Sequence, residues 1–289
     1  MTLTRQFAAE FAASRIALLG LVLLSLLLLA ALLAPWISPQ NPYDLSRLEL
    51  LDSRLPPLAH SAAGAIHWLG TDDQGRDMLS AILYGLRTSV AVGFASTILG
   101  LAIGVSVGLA AGWFGGWLDA LLMRLADLQL SFPSILIALV LLAVLGQGLD
   151  KIIVALVAVQ WAYYARTARA AALVERRKEY VDAAVALAFS NARIIFRHLL
   201  PNCAPPIIVL ATVQVAAAIT LEATLSFLGL GLPITQPSLG LLISNGFNYL
   251  LSGHYWISVF PGIALVAAVV SINLVADRLR EVLDPHKPR

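Results

Sequence analysis

Charge is what this 289-residue chain has least of: only 12% of its residues are Asp, Glu, Lys or Arg, about half the share of an ordinary soluble domain. Lysine occurs three times, at Lys151, Lys178 and Lys287, so the G-x-x-x-x-G-K-[ST] phosphate loop, whose lysine must follow a glycine, is excluded. With one cysteine, Cys203, no intrachain disulfide can form, and Cys203 reads as a small apolar residue at a helix start. The five histidines (His60, His67, His198, His254, His286) lack metal-ligand spacing. No nucleophile–base pair or paired-carboxylate spacing is recognisable, so the chain is expected to be non-catalytic and to hold no cofactor or metal. A net charge of +2 without a basic face argues against nucleic acid.

Apolar residues make up 59% of the chain and the mean hydropathy is +0.83. They come in blocks long enough to cross a hydrocarbon layer, which takes about 20 helical residues. The expectation is an all-α membrane protein with six transmembrane helices. The spans are placed at 16–37, 88–112, 118–146, 149–165, 205–228 and 256–276, with Pro133 inside the third. The stretch Ile16–Ile37 is too long for a cleavable signal and reads as a retained helix. Residues 1–15 precede it, and a proline-broken, acid-rich aqueous loop, 38–87, follows. Within that loop Thr71–Gln74 fits a capping box, and Asp77–Arg87 reads as an interfacial helix leading into the second span.

Gly93, Gly100, Gly104 and Gly108 form a small-residue stripe on the second span, which suits close helix approach. Residues 166–202 form the longest charged stretch, 229–255 an outer loop, and 277–289 a basic tail. With six spans, 14 of the 19 Lys and Arg residues fall on one side, which makes both termini and the 166–202 loop cytoplasmic.

Few ionisable residues fall within the spans. Arg124 and Asp127, at i and i+3, read as a local ion pair. Glu222 either sits hydrated near the outer interface or lines a polar cavity. The segment Ser226–Pro233 (SFLGLGLP) is too glycine-rich for a stable helix and suggests a re-entrant segment shielded by protein. Glu222, Ser226 and Phe227 are therefore candidate pathway-lining residues.

The segment Glu179–Asn202, EYVDAAVALAFSNARIIFRHLLPN, is expected to form two short helices joined near Phe189–Asn191, the second stopped by Pro201. Ala183, Ala184 and Ala186 offer a narrow face able to seat in a protein groove.

This segment resembles the EAA loop of permease subunits in ABC importers. The match rests on Glu179, Tyr180, Val181, Ala183, Ala184, Ile194, Ile195, His198, Leu200, Pro201 and Asn202, with Asp182 in place of glutamate. Ala188 stands where that family usually has glycine; if the turn needs φ > 0, alanine there is strained by roughly 1 kcal/mol. HWLGTDDQGRDMLS (67–80), AGWFGGWLDALLMRLAD (111–127), SFLGLGLP (226–233) and the ending Phe260–Pro285 are similar to the second permease of the dipeptide, oligopeptide and nickel importers.

The resemblance implies a type I ABC importer fold, a permease domain over 88–285 and a multi-pass subunit of a bacterial inner membrane. It also implies a second homologous permease, two ATPase subunits that bind the ATP and Mg²⁺, and an extracytoplasmic substrate-binding protein. Glu179–Ala184, Ala188, Ile194, His198, Pro201 and Asn202 would carry the ATPase coupling. Peptides are the implied cargo, with nickel or a metal chelate as the alternative. A self-sufficient secondary transporter and a membrane scaffold are the competing classes.

Overall fold

A computed structural model describes residues 9–44, 48, 50–61 and 64–283. Arg5, Arg47, Glu49, Lys287, Arg289 and the end of the C-terminal motif lie outside the described residues. The chain is helical: α1 (Arg15–Ile37), α2 (Met78–Phe114), α3 (Gly116–Leu130), α4 (Ser134–Leu145), α5 (Leu149–Glu175), α6 (Glu179–Ala186), α7 (Asn191–Phe227), α8 (Leu239–Phe247) and α9 (Trp256–Leu283). A two-stranded hairpin, β1 (Ala59–His60) with β2 (Ile66–His67), lies in the loop before α2.

Among the described residues four helices, α1, α2, α7 and α9, are long and apolar enough to cross a membrane, and α3 with α4 makes a fifth candidate bent by 90°. That pair is a crossing and not a re-entrant loop, because of how α2 and α5 lie together. A Cβ on Gly100 would meet Gln160, on Gly104 Trp161 and Tyr164, on Gly108 Ala165 and Ala168, and on Gly112 Ala172. Numbers rise together on both helices, so α2 and α5 run parallel, and the segment between them must return the chain to the other side. The glycine stripe expected on the second span is the seam of this contact, and Gly93 continues it against Ile219 of α7. At 27 residues α5 is long enough to span, and its Gln160, Ala162, Ala165 and Ala168 are sheltered by the bundle, which is why it tolerates more polarity than its neighbours. Ser89 of α2 meets Glu222 of α7 while Gly93 meets Ile219, so α7 runs antiparallel to α2.

Several element boundaries differ from expectation. Thr71–Gln74 does not cap a helix: the Thr71 hydroxyl accepts from the Leu55 N–H at 2.7 Å and donates to the Asp52 carbonyl at 2.5 Å. Asp77 caps instead, its carboxylate accepting from the Ser80 N–H at 2.8 Å, and 77–87 forms no separate helix because α2 continues without a break. The third span is broken at Pro133, which lacks the N–H that a continuous helix would use. Its first half, α3, lies steeply across α5: Asp119 and Asp127 are 8 residues apart but pair with Arg169 and Arg166, only 3 apart. At 1.5 Å per residue that is about 12 Å along α3 against about 4.5 Å along α5.

The stretch 166–202 is less of a loop than expected, since α5 runs on to Glu175 and α7 starts at Asn191. Pro201 does not end a helix either. The turn before it, Ile194–Leu199, widens to i→i+5 bonding, with the Leu200 N–H donating to the Ile195 carbonyl, and the helix passes through Pro201, Pro205 and Pro206. The stretch 229–255 contains α8, buried along Leu239–Leu242. The segment before it is only partly enclosed: a Cβ on Gly231 would fall 2.1 Å from the Ser226 Oγ and Leu232 is buried, whereas Phe227, Leu228 and Ile234 are exposed, and Ser226 and Phe227 belong to α7.

Candidate functional site

Two regions combine uncommon chemistry with defined geometry: the helical elbow between α5 and α7, and a trough running along α5, α7 and α9.

In the elbow, α6 presents two faces. Val181 and Ala184 are buried, packed with Val105, Leu109 and Trp113 of α2 and with Ile194 and Leu199. Glu179, Asp182, Ala183, Val185, Ala186 and Leu187 are exposed. The alanine face expected to enter a partner groove is thus split: Ala184 seats α6 on its own bundle, and Ala183 and Ala186 face outward. Ile194 is likewise an internal contact. Glu175, at the end of α5, organises the underside, accepting from the Tyr180 hydroxyl at 2.8 Å and the Lys178 ammonium at 2.6 Å. Partial burial, together with that carboxylate, holds the Tyr180 phenol above its ordinary pKa.

The turn that follows resolves the question raised by Ala188. Its φ is +55°, the Ala188 N–H donates to the Val185 carbonyl at 2.9 Å and the Phe189 N–H to the Ala184 carbonyl at 3.2 Å. These two bonds form a Schellman cap, with alanine in the left-handed position that favours glycine. Phe189 stacks on His198, centroids 5.9 Å apart, and Arg193 lies 4.0 Å above the Phe189 ring. The Asn202 amide donates to the His198 carbonyl at 2.7 Å. Glu179, Tyr180, Asp182, Ala183, Ala188, His198 and Asn202 are therefore gathered into one rigid elbow leading into α7. Pro201 lies within the same run.

The trough has two chambers that share Val213. The first chamber, about 490 Å³, lies beside the middle of α5 and α9 and is walled by Ser134, Gln160, Tyr163, Gln214, Thr220 and Asn273 among apolar residues. The second, about 940 Å³, lies toward the elbow and carries Glu175, Lys178, Asp277 and Arg280. From Thr224 to Asn202 on α7 the trough covers 23 residues, about 33 Å of helix.

Glu222 is on neither chamber wall and is not hydrated. It is fully buried on the opposite side of α7, where it accepts from Ser89 at 2.7 Å and from Ser226 at 2.8 Å. Ser226 is buried beside it, while Phe227 is partly exposed and stacks edge-on with Phe247. The three candidate pathway residues thus fasten α7 to α2 and α8, because Glu222 and Ser226 face the helix's packed side and not its open one. Arg124 and Asp127 do not form the expected local pair: Asp127 pairs with Arg166 of α5, and Asp119 binds Arg169 through two contacts at 2.5 and 2.6 Å. Gln160, Gln214 and Asn273 went unread in the sequence, where their signal is a neutral carboxamide isolated in an otherwise apolar span.

Comparison with known proteins places this architecture. Residues 100–287 match the family model described as binding-protein-dependent transport system inner membrane component, and residues 2–57 match the N-terminal transmembrane domain of oligopeptide transport permease C. The chain is 43% identical over 267 residues to a putative peptide transport system permease protein of Brucella suis, covering 92% of this chain and 86% of that one. It is 40% identical over 285 residues to the dipeptide transport system permease protein DppC of Escherichia coli, covering 99% and 94%. With the di/tripeptide transport system permease protein DppC of Pseudomonas aeruginosa it shares 37% over 281 residues, 97% and 91% of the two chains. Among solved structures, inward-facing MetNI methionine ABC transporter chains match the fold with TM-scores of 0.57 and 0.58 at 22% identity, over 72% of this chain and 98% of theirs. The chain belongs to the binding-protein-dependent transport system inner membrane components and is a multi-pass permease of that family.

Proposed function

We propose that this chain is one permease half of an ATP-driven importer of short peptides. It would work beside a second, homologous permease, two ATPase subunits that bind ATP and Mg²⁺, and a substrate-binding protein on the outer face. Both termini and the elbow lie on the cytoplasmic side. The observation that carries this reading is collinear similarity, at 37–43% identity, to permeases named for peptides or dipeptides, over 92–99% of this chain.

The elbow supports the ATP-driven part. Its exposed face, with Glu179, Asp182, Ala183, Val185 and Leu187, is the docking surface for an ATPase groove, and its buried face is tied to the bundle by Val181, Ala184 and the Tyr180–Glu175–Lys178 bonds. A push on α6 passes across one capped turn into α7, which runs unbroken from Asn191 to Phe227 along the trough. A lever needs such seating, because exposed ion pairs contribute roughly 0–1 kcal/mol each.

The test is uptake of radiolabelled dialanine by proteoliposomes holding the four membrane and ATPase subunits, with the binding protein outside and ATP inside. ATP-dependent accumulation supports the reading. Accumulation of a nickel chelate and no peptide would assign the chain to the metal branch, and gradient-driven flux through this chain alone would make it a secondary transporter.

A further inference from the structure

We infer that the first chamber is a charge-neutral passage for the peptide main chain, with Gln214 of α7 and Asn273 of α9 as its hydrogen-bonding stations. The inference rests on the peptide-importer reading and deepens it.

The chamber's polar groups fall into two sets. The hydroxyls have partners for at least part of their capacity: Thr220 Oγ1 donates to the Ala216 carbonyl at 2.9 Å, Thr224 Oγ1 to the Thr220 carbonyl at 2.8 Å, and one of Ser134 and Tyr163 donates to the other at 3.3 Å. Gln160 is half satisfied: its Oε1 accepts from Thr97 at 3.4 Å, and its amide N–H₂ has no partner among the described residues. Gln214 and Asn273 have no hydrogen-bond partner among the described residues, and both side chains line the chamber.

A free carboxamide in a largely apolar wall has unmet capacity for two donated bonds and at least one accepted bond. Bound cargo that supplies N–H and C=O groups together satisfies it, and a peptide main chain does so at every residue. The wall holds no Asp, Glu, Lys, Arg, His or Cys, so it offers neither a metal ligand nor a fixed charge. In a low-dielectric interior a fixed charge would trap cargo of one sign and repel the other. A wall without one passes peptides whatever their side-chain charge. Charges of both signs appear only in the chamber nearer the elbow, where Glu175, Lys178, Asp277 and Arg280 suit a zwitterion re-entering water.

Gln214→Glu and Asn273→Asp, nearly isosteric changes that introduce one carboxylate, test this in the reconstituted complex. Uptake of Ala-Lys, Ala-Ala and Ala-Glu is measured, and each peptide's rate is divided by its wild-type rate. That division cancels the preference of the binding protein. The expected result is a variant-to-wild-type ratio for Ala-Lys that differs from the ratio for Ala-Glu by about tenfold, as one charge at partial desolvation would produce, with Ala-Ala between them. Binding-protein-stimulated ATP hydrolysis confirms assembly.

Equal scaling of all three peptides in both variants overturns the inference, and so does no change in either. Failure of both variants to assemble would also overturn it, since groups facing open space accept an isosteric change. If the wild-type complex moves none of the three peptides, the peptide-importer reading itself has failed. If it moves them and neither variant acquires a charge bias, only the neutral-passage inference has.

Discussion

Two adjacent alanines in α6 separate the seating of the elbow from its docking. Ala184 is 3% exposed and belongs to the apolar cluster that includes Val181, Ile194 and Leu199, whereas Ala183 is exposed. Arginine at 184 would place a guanidinium in that apolar contact with no acceptor, at a cost of several kcal/mol. The seat opposing it is a short one: Val181 contributes roughly 1.5–3 kcal/mol and the bond from Tyr180 to the Glu175 carboxylate about 1.5–3 kcal/mol. Ala184→Arg is therefore expected to unseat α6, and amide exchange across 179–189 should accelerate by at least about a hundredfold, because each 1.4 kcal/mol of lost protection is tenfold. Arginine at 183 stays in water, where surface changes fall within about 0.5 kcal/mol, so exchange there should match wild type while ATP-coupled uptake falls because the docking face is obstructed. Exchange mass spectrometry in nanodiscs reads the first effect and proteoliposome uptake the second. Wild-type exchange in Ala184→Arg would refute the assignment of the buried face.

Further expectations follow from individual contacts. Ala188→Gly relieves a left-handed residue at φ +55° and, after glycine's extra chain entropy, should slow exchange around 184–190 by about 0.5–1 kcal/mol; faster exchange would contradict the Schellman assignment. Gly104→Ala would put a Cβ 2.3 Å from the Trp161 carbonyl oxygen and should lower thermal stability in detergent by about 1–3 kcal/mol, whereas Gly262→Ala, with open space at its Cβ, should not. Asp73, in the loop between α1 and α2, has its pKa raised by burial and by neighbouring Asp72. A folded pKa above the unfolded one means that the ionised form costs stability above the folded pKa and costs nothing below the unfolded one. Asp73→Asn should accordingly raise the melting temperature at pH 7–8, with the gain disappearing as the pH falls towards 4.

Much of the fold is legible because lipid enforces it. Continuous apolar runs such as Ile16–Ile37 and Trp256–Ala276 fall within α1 and α9, and the glycine stripe on α2 forecasts a close seam. Less legible are features that depend on what lies across a contact. Asp127 has Arg124 at helical spacing, yet the strong tilt of α3 brings it to Arg166, 39 residues away. Pro201 signals a stop in any local reading, but a widened turn upstream absorbs its missing donor. Glu222 looks hydrated or pathway-lining until Ser89, 133 residues distant, supplies its hydroxyl. In the elbow, composition marks Ala183 and Ala184 alike, and only packing decides which one is buried. Gln214 and Asn273 carry a local signal, a carboxamide in an apolar span, but that they line a common chamber depends on how α7 and α9 pack, which no local pattern carries.

The most direct test is disulfide-free cross-linking from the exposed face of the elbow. With Cys203 replaced by serine and cysteine placed at Asp182 or Ala183, a benzophenone maleimide is attached to that cysteine and photoactivated in the assembled transporter in membranes, and the same is done with cysteine at buried Val181. The account predicts an adduct with an ATPase subunit from 182 and 183, modulated by ATP, and none from 181. An assembled, transport-active complex that gives no such adduct from either exposed position would contradict it.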